Sequence, residues 1–120
     1  MKDFRIEKLA SNLLNHSINL QKGEKILIEI IGTDAVPLGK ELIKQSEIRG
    51  ALPFFNIIDY EIMREMLKNA TEGQMRIYAK HDLQRMKDMD AYIGIRASTN
   101  TAELNGIPKE KMELYNKYYN

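Results

Sequence analysis

Lys25-Ile26-Leu27-Ile28-Glu29-Ile30-Ile31 is nearly continuous in bulky apolar residues, broken once by Glu29. A run with so little alternation suits a strand covered on both faces, as in parallel sheets. Gln21-Lys22-Gly23-Glu24 interrupts the chain before it, and Gly32-Thr33-Asp34 turns the chain after it. Upstream, Ile6, Leu9, Ala10, Leu13, Leu14 and Ser17 repeat at the spacing of an amphipathic helix. Downstream, Thr33 or Asp34 is the expected N-cap of a second helix. Pro37 falls in its first turn, where the missing N–H costs nothing. Ala35, Leu38, Leu42, Ile43 and Ser46 form its buried side, and it stops at Gly50.

Pro53 to Ile58 repeats the bulky, near-continuous pattern as a second strand, after which Asp59 can cap a third helix. The apolar face of that helix is Ile62, Met63, Met66, Leu67 and Ala70. Thr71-Glu72-Gly73-Gln74 has the spacing of a capping box and opens a fourth helix through Met75, Tyr78, Ala79, Leu83 and Met86. Ala91 to Ile95 is a third strand, and a last helix is expected from Lys109 to about Tyr119. Strands separated by helical crossovers imply an α/β fold. The expected architecture is three-layered and flavodoxin/Rossmann-like, with helices packed on a parallel three-strand sheet. Ile26, Ile28, Phe55, Ile57, Tyr92 and Ile93 are expected among its buried residues. Three strands make a small sheet with bare edges, so the sheet is expected to be incomplete and the chain part of a longer fold.

The 120 residues suffice for one domain, at 43% hydrophobic. Eighteen basic against 17 acidic residues leave a net charge of +1, which gives no excess to neutralise a phosphate backbone, so nucleic acid is not an expected partner. No segment approaches a membrane span, and Met1-Lys2-Asp3-Phe4-Arg5 does not open a signal peptide. Without cysteine there is no disulfide, thiolate metal site or cysteine nucleophile. The expected location is cytoplasmic.

Gly32 to Lys40 joins a strand to a helix, yet it has six residues between its glycines and Glu41 where a phosphate loop needs Ser or Thr. Gly39 is better read as permitting close helix packing. His16 and His81 are the two histidines; neither has a second histidine one helical turn away, so a structural or solvated role is expected for each. Ser98 lacks a nucleophile motif. The seven methionines suit irregular core gaps, with a partner-binding surface as the other reading.

In open parallel sheets, ligands bind beyond the carboxyl ends of the strands. Those ends carry Thr33 and Asp34, Asp59, and then Arg96, Ser98 and Asn100. Asp34, Asp59, Arg96 and Asn100 are therefore the ligand or interface candidates, although Asp34 and Asp59 also suit N-caps and Asn100 suits a turn. Arg96 follows a buried strand as a lone cation. It has three open readings: a pair with Asp34 or Asp59, a ligand contact, or a contact with a neighbouring domain. Tyr115, Tyr118 and Tyr119 share one side of the last expected helix, and such gathered rings are interface anchors, so self-association is expected, through this helix or through the open sheet edge.

Leu20-Gln21-Lys22-Gly23-Glu24-Lys25-Ile26-Leu27-Ile28 resembles the opening segment of the aminopeptidase T / aminopeptidase S family of metal-dependent exopeptidases. Arg49-Gly50-Ala51 with Pro53, then Asp90 to Asn100, then Glu103-Leu104 and the Pro108-Glu110-Lys111 helix start, continue the match in order and spacing. The resemblance covers essentially the whole chain but only the family's N-terminal third. It implies a parent enzyme that removes N-terminal residues from peptides with two divalent metal ions, zinc or cobalt. In the family their ligands come from the C-terminal domain, and none of those motifs occurs here, so the resemblance carries over no catalytic or metal residue. It implies instead a single N-terminal α/β domain over residues 1–120, truncated, walling the substrate cavity and supporting dimerisation. Its partners would be the C-terminal domain and the peptide substrate, and the chain alone is expected to be inactive. The other reading is a self-contained flavodoxin-like binding or protein-interaction module without catalysis.

Overall fold

Strand β1 (Lys25–Ile31) is the centre of a three-stranded sheet of order β2-β1-β3, with β2 spanning Leu52–Ile58 and β3 spanning Ala91–Arg96. Both pairings are parallel: Ile28 sits opposite Phe55 on one side and Ile93 on the other. The structure, a computed structural model, describes residues 4–96. Its helices are α1 (Phe4–Asn12), continued by a wider π turn over Leu13–Ser17, α2 (Val36–Ile48), α3 (Tyr60–Lys68) and α4 (Glu72–Lys87).

Side chains alternate across β1. Ile26, Ile28 and Ile30 enter a core with Ala10 and Leu14 of the first helical segment, Leu42 of α2, and Ile93 and Ile95 of β3. Ile26 and Ile28 are fully buried, as expected of a central strand. Close approach of α2 depends on Gly39: a Cβ there would lie 2.7 Å from Cγ1 of Ile30. Gln45 Nε2 donates to the Glu7 carbonyl at 3.0 Å, and Arg49 Nη2 to Asn15 Oδ1 at 2.8 Å, tying α2 to the first helical segment. On the other face of β1, Leu27 is buried and Glu29 is half-buried, and Arg85 of α4 reaches Asn56 of β2 there. Met63 and Leu67 of α3 and Met75 and Ala79 of α4 are buried. The result is the three-layer arrangement with a parallel sheet in the middle.

Several expectations need correction. Phe55 and Ile57 are 51% and 52% exposed, because β2 is an edge strand that α2 covers incompletely. Tyr92 is partly exposed because β3 is the opposite edge strand. Ile62 points to solvent, and Tyr60 takes its place among the buried residues of α3. Neither Thr33 nor Asp34 caps α2 by its side chain: Thr33–Ala35 forms a 3₁₀ turn ahead of the helix, with Ala35 at the N-cap position. The Asp59 cap and the Thr71–Gln74 capping box form as expected. The last expected helix lies outside the described residues, and no described helix is long and apolar enough to cross a membrane.

Candidate functional site

The register brings three strand ends together. Ile31 at the end of β1 is flanked by Ile58 of β2 and Arg96 of β3. The chain leaves β1 in one direction to reach β2 and returns across it to reach β3, so the topological switch falls between β1 and β3. A crevice at that position is where open α/β sheets take ligands. At those strand ends Thr33 and Asp34, which follow β1, and Arg96, which ends β3, are exposed.

Asp59 plays a structural part. Its Oδ1 accepts the Glu61 N–H at 2.8 Å and the Ile62 N–H at 3.2 Å, satisfying two free donors at the start of α3. No ion pair joins Arg96 to Asp34 or Asp59 among the described residues. Arg96 shares the sheet face of Tyr92 and Gly94, and its charge acts on the Tyr92 phenol. Asn100, Ser98, Tyr115, Tyr118 and Tyr119 lie outside the described residues.

A second polar group, which sequence reasoning passed over, occupies the α4 side of the sheet. The Tyr92 hydroxyl donates to Glu29 Oε1 at 2.9 Å, across strands β3 and β1. Tyr92 can reach that far because it runs over Gly94, where a Cβ would lie 2.7 Å from the phenol oxygen. Burial first, and then the hydrogen bond and charge of Glu29, push the Tyr92 phenol up to about 12, against a smaller opposing effect of Arg96. Burial, then Asp82, then Glu29 also raise Tyr78. Gln74, Ile77, Tyr78, His81 and Asp82 line an open groove of about 600 Å³ along α4. The sequence did carry a signal for this group, since Glu29 is the one charge inside the central apolar run.

His16 and His81 are both exposed and stand on separate elements, the π turn and α4. Among the described residues no group of three or more His, Asp or Glu side chains is placed to hold a metal ion. The donor set that a metal centre needs is therefore not offered by residues 4–96. What they offer is a set of exposed strand-end residues of mixed charge and a phenol–carboxylate pair on the α4 side of the sheet.

A family model described as thermophilic metalloprotease (M29) matches residues 2–120. Among solved structures, wild-type AmpT from Thermus thermophilus superposes with a TM-score of 0.67 at 24% identity, over 94% of this chain and 29% of that chain. The chain thus spans under a third of the length of that relative, and the likeness supports the α/β fold. None of the curated proteins matches.

Proposed function

Because the chain belongs to the thermophilic metalloprotease family M29, we propose that it works as the N-terminal α/β unit of a metal-dependent aminopeptidase. The observation that carries this reading is the family match over residues 2–120. It is supported by the Leu20–Ile28 and Asp90–Asn100 segments, which resemble aminopeptidase T and aminopeptidase S in order and spacing. The enzyme's substrate would be a peptide, shortened from its N-terminus, and zinc or cobalt ions would supply the hydrolytic chemistry. Residues 4–96 do not fit that metal centre, so no step of the reaction is assigned to them.

Their part is to wall the substrate cavity and to contribute dimer contacts. The strand ends are the natural wall, with the exposed Asp34 and Arg96 presenting opposite charges at the switch between β1 and β3. Such groups orient the charged ends and polar main chain of a peptide without touching the bond that breaks.

The test is a chimera in which this chain replaces the matching 29% of Thermus AmpT. Hydrolysis of aminoacyl reporter substrates should follow the metal held by the remainder. Asp34→Ala and Arg96→Ala should raise KM while bound metal stays constant. A folded, metal-loaded chimera without turnover would favour the separate binding-module reading. Turnover by the free chain would contradict the division of labour.

A further inference from the structure

We propose that Arg85 guards the outer edge of β2 against pairing with the same edge of a second copy of this chain. The direction of the backbone groups along β2 follows from its two ends. Leu52 N donates to Glu24 O at 2.8 Å, and Gly32 N donates to Ile58 O at 2.8 Å. With the observed register, Leu52, Phe54, Asn56 and Ile58 turn their N–H and C=O groups toward β1. Pro53, Phe55 and Ile57 turn theirs outward, where no other described strand lies.

That outer edge is self-complementary. Antiparallel pairing with Asn56 facing its counterpart would set Phe55 opposite Ile57 of the second copy, each exchanging N–H and C=O groups with the other. The two residues are half-exposed on the α2 face, so the same pairing would cover both side chains. Leu52-Pro53-Phe54-Phe55-Asn56-Ile57-Ile58 contains no charged residue of its own, and such an edge is prone to pair with its like. Pro53 lacks an N–H and blunts the strand at its beginning alone.

Arg85 protects the middle. It lies on α4, in the row of residues turned toward the sheet, where an apolar side chain would be the ordinary choice. Its Nη2 donates to the outward Phe55 carbonyl at 2.8 Å, and its Nη1 donates to Asn56 Oδ1. The guanidinium therefore sits where the two-fold axis of a paired dimer would pass. Pairing would bring two such cations together and would compete for the Phe55 carbonyl, and both effects oppose it.

The experiment compares the full chain with its Arg85→Ala and Arg85→Met forms; the second keeps an apolar stem against the sheet. Circular dichroism identifies the folded variant to be used. Sedimentation and amide hydrogen exchange are then read across concentration. The expected result is a doubling of mass, together with protection of the Phe55 and Ile57 amides that grows with concentration and is missing in the parent chain. Adding Ile57→Lys should reverse both. The proposal is overturned if these two amides exchange alike in the parent and the folded variant at every concentration. It is equally overturned if the association survives Ile57→Lys.

Discussion

The Tyr92 hydroxyl stands 2.9 Å from Glu29 Oε1, and it gets there by crossing Gly94 on its own strand. Two successive positions on one face of β3 thus act together: one supplies the donor and the other leaves room for it. Glu29 is a half-buried carboxylate in the central strand, and the phenol gives it a partner that an apolar sheet face would not.

Gly94→Ala should separate this contact from the fold. The added Cβ would meet the far end of the Tyr92 side chain, which can swing away, so stability should change by no more than about 1 kcal/mol. The phenol should fall from about 12 toward its ordinary value of 10.0. Ultraviolet titration of tyrosinate reads this directly, and an unchanged Tyr92 titration would contradict the geometry.

Alkaline stability follows from the same pair. The folded chain holds the Tyr92 proton more tightly than the unfolded chain, so it binds more protons above the ordinary phenol value. This contribution is fully present below pH 10.0 and is lost as pH rises toward about 12. Tyr78, raised in the same direction, adds to the loss. Denaturant midpoints measured across this window should fall with pH in the parent chain and fall less steeply in Tyr92→Phe.

The sequence conveyed the strands better than their surroundings. Lys25–Ile31 stands out because a nearly continuous apolar run needs cover on both faces, and that same reasoning made the sheet parallel. It failed for Phe55 and Ile57, because an apolar run looks alike in a central strand and in an edge strand whose partner elements lie elsewhere. Asp59 was legible as a cap because the signal is local, three residues of spacing. The Glu29–Tyr92 pair was not, since its members are 63 residues apart and meet only through the β1–β3 register.

Burial decides how much each strand residue matters. Ile28 is fully buried, and Ile28→Ala should cost about 2–5 kcal/mol, the range for a large-to-small change in a core. Ile57 is 52% exposed, so Ile57→Ala should cost under about 1 kcal/mol in the same denaturation experiment. Equal losses would mean that β2 is covered after all.

At the end of β2, the cap and ligand roles of Asp59 can be told apart. Removing its side chain should cost about 0.5–2 kcal/mol, whereas Asp59→Asn keeps an acceptor for the Glu61 and Ile62 amides and should cost far less. If Asp59 served a ligand by its charge, the chimera carrying Asp59→Asn would lose activity while its melting temperature held. The hydrogen bonds favour the opposite outcome, in which activity holds and only Asp59→Ala melts earlier.

Metal removal and addition test the division of labour most directly. Each ion of a resident two-ion centre would stabilise the fold by mass action, by about 2.7 kcal/mol when free metal reaches one hundred times its dissociation constant. Residues 4–96 place no three His, Asp or Glu side chains around a common point, and His16 and His81 stand exposed on separate elements. The free chain should therefore melt at the same temperature with chelator, zinc or cobalt, and should not hydrolyse aminoacyl reporters in any of them. The chimera with AmpT should instead lose both activity and several degrees of stability on chelation. A metal-dependent shift in the free chain that disappears in His81→Ala would locate a donor set on α4 and defeat the assignment of the metal centre to the rest of the enzyme.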